Sequence, residues 1–170
     1  MSLWKDPENV PEYAQETNPN IKWRRPDKIT KLKPKFCIAE KNRVEMKAGA
    51  IGHTWFMGAL AIMTSKSDII EKLFVDSEHF DKGFVSFQFF KNGEWKQVIV
   101  DTKLPFDTEQ NILVFSNCLN PSEFWVPLLE KAYAKLHGTY EEIMLHNITE
   151  CLVDLTGGVS SNIDLDVYTK

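Results

Sequence analysis

A chain of 170 residues, 43% hydrophobic and 12% aromatic, holds enough apolar material for one compact domain. Its net charge of -4 offers no basic face for nucleic acid and no pull toward anionic lipid. Cys37, Cys118 and Cys151, odd in number and irregular in spacing, suggest neither a disulfide framework nor a zinc site, and fit reduced thiols in a cytosolic protein.

The first residues, Met1 to Asp6, lack an apolar h-region, so no secretory signal is expected, and Ser2 in place of Gly removes the N-myristoylation signal. No apolar run is long enough to span a bilayer. Residues 1–35 are broken by Pro7, Pro11, Pro19, Pro26 and Pro34 and read as an extended arm, pinned to the globule by Val10, Tyr13, Ile21 and Trp23. Short extended segments with a Gly-containing turn, Ala48 to Gly52, follow over 36–52. From His53 to Thr64 the residues are almost wholly apolar, which predicts a helix buried on every side. A second helix is expected with Ser67 as cap and a stripe of Ile69, Ile70, Leu73 and Phe74.

The period then changes. Val85, Phe87 and Phe89 alternate with polar residues, and Asn92-Gly93 before Trp95–Val100 is a strong hairpin signal. The aromatics Phe84, Phe87, Phe89, Phe90 and Trp95 form either a binding face or core packing, and an alternating strand favours the core. Ile112 to Phe115 reads as a third strand. The best helix runs from Ser122 to His137, with Leu128, Leu129, Ala132, Tyr133 and Leu136 on one face and Gly138 as its stop. One or two short helices are expected between Tyr140 and Asp154, then a turn at Gly157-Gly158 and a polar tail. Helices beside an antiparallel hairpin set indicate an α+β domain.

Several segments carry a family resemblance. Gly49-Ala50-Ile51-Gly52-His53-Thr54-Trp55 resembles the calpain motif G-A-L-G-D-C-W, and Ser122-Glu123-Phe124-Trp125 through Lys135 matches the calpain string S-E-F-W-x-x-L-L-E-K-A-Y-A-K. Asp6-Pro7, Trp23-Arg24-Arg25-Pro26, Gly93-Glu94-Trp95, Val100 to Pro105 and Asp154 to Gly158 match further calpain strings in order. The resemblance implies the first lobe of a papain-like calpain protease core, taken here as residues 36–165 with 166–170 as a tail. Such a lobe has a buried central helix and a small antiparallel sheet, and it carries the nucleophile but not the His and Asn of the second lobe.

Departures from the family pattern bear on chemistry. Thr54 stands at the Cys nucleophile. A thiol reaches its anion near neutral pH, whereas an internal hydroxyl needs a positioned base. Ala48 stands at the Gln that helps hold the oxyanion, and losing one such donor costs about 10²–10³ in rate. Leu145-His146 stand at a Gly-Gly pair that lets substrate backbone approach. His146 reads either as a recruited base or as a plain surface residue, and a lone His in a loop favours the second; a dyad of His53 with Thr54 is disfavoured because neighbours on a helix do not face each other.

The family's first lobe also binds one calcium ion, which by counting back from Thr54 implies carbonyl ligands from Ile38 and Glu40 and carboxylates from Glu45 and Glu123. Glu45 and Glu123 as plain surface or cap carboxylates is the favoured alternative, since two carboxylates alone make a weak site. The expectation is a catalytically inactive calpain-like module that binds a protein partner, cytoplasmic and, by analogy, cytoskeleton-associated. The competing readings are a cysteine-type endopeptidase fragment completed by a second lobe, and a calcium-responsive module.

Overall fold

The computed structural model describes residues 3–7, 18–37, 46–49, 54–65, 67–161 and 163. Among them three small antiparallel sheets surround a helical centre, an α+β arrangement. The strands are β1 (Ile21–Arg24), β2 (Met46–Lys47), β3 (Phe74–Asp76), β4 (Phe84–Lys91), β5 (Glu94–Asp101), β6 (Leu104–Asp107), β7 (Ile112–Leu113) and β8 (Asn117–Cys118). The α-helices are α1 (Thr54–Thr64), α2 (Ser67–Glu71), α3 (Trp125–His137), α4 (Tyr140–Met144) and α5 (Ile148–Thr156). The sheets run in the orders β1-β6-β7, β2-β8 and β3-β4-β5.

The hairpin expected at Asn92-Gly93 is present, with β4 and β5 paired over their full length from Phe84 opposite Asp101 to Lys91 opposite Glu94. Asn92 and Gly93 both take positive φ, 56° and 85°, as a two-residue turn matching strand twist requires. Val85, Phe87, Phe89, Val98 and Val100 face the core. Phe84 and Phe90 are half-buried and Trp95 is exposed, so the aromatic strand splits between two faces as its period of two dictates.

Within the proline-rich start, Ile21–Arg24 forms β1 against β6, with Ile21 buried and Trp23 packed on the core; Val10 and Tyr13 lie outside the described residues. The third strand is shorter than expected: Ile112–Leu113 pairs with Phe106 and Asp107, while Val114 and Phe115 are buried beyond it. The second helix ends at Glu71, and Phe74 of its expected stripe belongs to β3.

The best helix begins at Trp125, three positions after the expected Ser122. Ser122 does not cap it: its backbone N–H and hydroxyl both donate to Asn120 Oδ1 (3.0 and 2.8 Å), a turn that competes with helix start. Gly138 ends it at φ 114°. The two short helices after Tyr140 are capped by Thr139 and Asn147, the latter in a full capping box with Glu150.

The central helix departs from all-round burial. Phe56, Ala59, Leu60 and Met63 are buried, but Ala61 is exposed and Ile62 is 54% exposed. Its apolar composition places it in the core, while one stripe has no described element over it.

Candidate functional site

Two described segments bear on the site: the β2–β8 pair and the start of α1. Met46 and Lys47 pair with Cys118 and Asn117, and the chain then runs past Gly49. A Cβ at Gly49 would stand 1.8 Å from the carbonyl oxygen of Phe115 and 2.6 Å from those of Leu113 and Val114. Backbone lies on backbone there, and only glycine permits it. Ala48, just before, is exposed, and its methyl offers no donor to an oxyanion.

Thr54 is the first residue of α1 and is exposed. A helix N-terminus presents free N–H groups and the positive end of the helix dipole, a setting that would activate a thiol. A hydroxyl in the same place remains a hydroxyl. His53 lies outside the described residues, as do Ile38, Glu40 and Glu45 of the expected calcium set. The fourth member, Glu123, is half-buried before α3, its backbone N–H donating to Asn120 O at 3.1 Å and its residue bridged to Lys35. Among the described residues no group of three or more His, Cys, Asp or Glu is placed to hold a metal ion.

None of the three cysteines is in a disulfide. Burial pushes each above its ordinary pKa, helped by Glu123 at Cys37 and Cys118 and by Asp154 at Cys151. None is set up as a substitute nucleophile.

Leu145 closes α4 and is 86% exposed. His146 corrects the surface reading. Its side chain is 21% exposed, and it belongs to a cluster that no single sequence motif joins. Its ring lies near-parallel to Trp55, with centroids 6.4 Å apart, and edge-on to His137 at 4.2 Å. Its Nδ1 is 3.5 Å from the Tyr133 hydroxyl and 3.6 Å from Glu150 Oε2. Burial holds its pKa below the ordinary value, His137 and Lys91 add to this, and Glu150 and Asp154 oppose it.

Beneath His146 sits Asp154. It accepts from the Tyr133 hydroxyl at 3.0 Å, from Lys91 Nζ at 3.2 and 3.4 Å, and faces His137 Nε2 at 3.0 Å. Burial works against its charge, but the donors His137, Tyr133 and Lys91 outweigh burial and hold the carboxyl below its ordinary pKa. Tyr133 and His137 stand four apart on α3, and that i, i+4 spacing was the available signal for a shared face.

A second cluster, behind the site, gathers several of the motif strings. Lys131 donates to Asp101 Oδ1 (2.6 Å), Asp101 O (3.0 Å) and Lys103 O (2.9 Å), with its ammonium 4.9 Å from the Trp23 ring centroid. Arg25 donates to Gly83 O, Thr102 Oγ1 and Trp4 O and lies 3.8 Å from Asp101. Lys135 holds Asp6 at 2.8 and 2.9 Å. These charges fix the frame that carries the site; none touches Thr54.

Comparison with known proteins agrees with this picture. The family model described as calpain family cysteine protease matches residues 3–170. The chain is 31% identical over 178 residues to a calpain of Schistosoma mansoni, covering 97% of this chain and 23% of that protein. It is 36% identical to Calpain-14 of Homo sapiens over 154 residues (89% of this chain, 22% of that one). To the Calpain-2 catalytic subunit of Mus musculus it is 36% identical over 156 residues (90% and 22%). The chain therefore spans less than a quarter of the length of these relatives. With a matching family model over nearly its whole length and an α+β protease-core architecture, this chain belongs to the calpain family of cysteine proteases.

Proposed function

We propose that this chain is a catalytically silent calpain-like domain that acts by binding a protein partner. The observation that carries the reading is the exposed threonine at the first position of α1, where the family motif has its cysteine. Ala48 supports it, since the neighbouring position lacks an oxyanion donor. The partner side is supported by an open apolar stripe: Ala61 and Ile62 on α1, with Met144, Leu145 and Ile148 exposed around the α4–α5 junction. Ile148 lies against the same helix, its Cδ1 3.2 Å from where a Gly58 Cβ would be. Exposed apolar patches of this kind mark interaction surfaces. The same reading assigns the module to the cytoplasm.

The test is an assay of the purified chain with an unfolded protein substrate, calcium and reductant, beside Thr54→Ala. Zero turnover in both is expected, with no adduct on Thr54 from an electrophilic peptide probe. Turnover that Thr54→Ala abolishes, or labelling at Thr54, would overturn the proposal.

A second reading is an endopeptidase completed by a further lobe, and the small share of the relatives' length covered here favours it. It requires the same hydroxyl to act. The assay repeated with a separately supplied calpain second lobe decides between the two.

A further inference from the structure

At the α4–α5 junction one imidazole touches three helices. His146 follows Leu145, the C-cap of α4, and precedes Asn147, the N-cap of α5. From α1 it meets the uncharged Trp55; from α3, His137 and Tyr133; from α5, Glu150 and Asp154; from β4, the Lys91 charge. Asp154 already receives Tyr133, His137 and Lys91. Glu150, with a side chain 56% exposed, is the carboxylate left to meet a new positive charge. Its Oε2 also accepts from the Asn147 backbone N–H at 3.4 Å, as one half of the capping box. One carboxylate oxygen is thus shared by the His146 ring and the cap of α5.

We propose that His146 is a proton-sensitive latch: neutral, it packs between Trp55 and His137 and holds the α4–α5 junction onto α1; protonated, it turns out toward Glu150, draws that carboxylate off the cap and loosens residues 144–148. The step is uptake of one proton from solvent by the imidazole, with no bond to another group made or broken. In the packed position His137 at 4.2 Å and Lys91 oppose the charge while Glu150, 3.6 Å from Nδ1, favours it, so protonation pulls the ring away from His137 and toward Glu150. Burial keeps the neutral, packed form as the resting one at neutral pH. The latch does not depend on the partner-binding reading.

The experiment follows the His146 imidazole by NMR from about pH 7.5 to about pH 5, with amide hydrogen exchange measured in parallel and corrected for intrinsic rates. In His137→Gln the His146 midpoint is expected to rise by about half a pH unit, because a neighbour that disfavours the charge has gone. In the wild type, protection at Leu145, His146, Glu150 and Cys151 is expected to fall about tenfold across the midpoint, and to stay flat in His146→Gln. These amides donate to Glu142 O, Ile143 O, Asn147 Oδ1 and Asn147 O, so they report the junction directly. An unchanged midpoint in His137→Gln, or wild-type protection indifferent to pH, would overturn the latch. Should either variant fail to fold, the wild-type protection curve together with Glu150→Gln, which must lower the midpoint, decides alone.

Discussion

Asp154 shows how much one buried carboxylate organises. Three polar atoms, Tyr133 Oη, His137 Nε2 and Lys91 Nζ, converge on it from α3 and β4, and its pKa is held below the ordinary carboxylate value. A group whose folded pKa is depressed stabilises the fold above its unfolded pKa of about 4 and loses that contribution as pH falls through the folded value. Asp154→Asn is therefore expected to cost about 2 kcal/mol at neutral pH, with the gap to wild type narrowing as urea titrations are taken below about pH 4. A gap that is the same at acid and neutral pH would show that the charge is not what stabilises. The Asp was visible in the sequence only as a member of a family string, as were Asp6, Arg25, Asp101 and Lys131. The ion network they build depends on contacts between residues far apart in the chain, and no local pattern encodes such partners. Thr54 was assigned because the motif fixes its neighbours on both sides, and Ala48 by counting back from it. His146 was misread as surface because a loop residue's burial is decided by Trp55 and His137, which arrive from two other helices.

At the scale of elements, strong local rules were the ones that read correctly. The Asn92-Gly93 turn needs two positive φ values and has the two residue types that tolerate them. The short strands β2, β3, β6 and β8 left no comparable trace, because two to four residues are too few for a period to show, and their pairing is set by tertiary neighbours. The helix start at Trp125 was displaced by side-chain chemistry, since Asn120 captured the serine that would have capped it. Two glycines separate backbone from packing effects. Gly93→Ala meets no atom within 4 Å, so its cost is the left-handed backbone alone, about 1 kcal/mol. Gly49→Ala would drive a methyl into three carbonyl oxygens, and a loss greater than about 3 kcal/mol is expected. Thermal melts of the two variants give the comparison, and a Gly49→Ala melt no lower than that of Gly93→Ala would mean that strand β2 is free to move away from 113–115.

For the molecule as a whole, the open stripe on α1 is the feature most directly tied to the proposed role. A domain with Ile62 exposed on its central helix and Leu145 exposed at the α4–α5 junction has apolar surface to cover. Ile62→Asp combined with Leu145→Asp is expected to abolish capture of the bound partner in a pull-down while changing stability by less than about 0.5 kcal/mol, as exposed positions allow. Undiminished capture by the double variant would move the interaction elsewhere on the surface.

The strap that joins Asp6 to Lys135 spans 129 positions along the chain. A contact between residues so far apart gains nothing until the intervening chain is compact, so it is expected to form late in assembly. The sheet hairpin and α3 can consolidate early from near neighbours, whereas the segment 3–7 fastens onto Lys82, Arg25 and Lys135 only once all three stand in place. Refolding should thus finish from the outside, with the chain's first residues buckled down over a globule already formed.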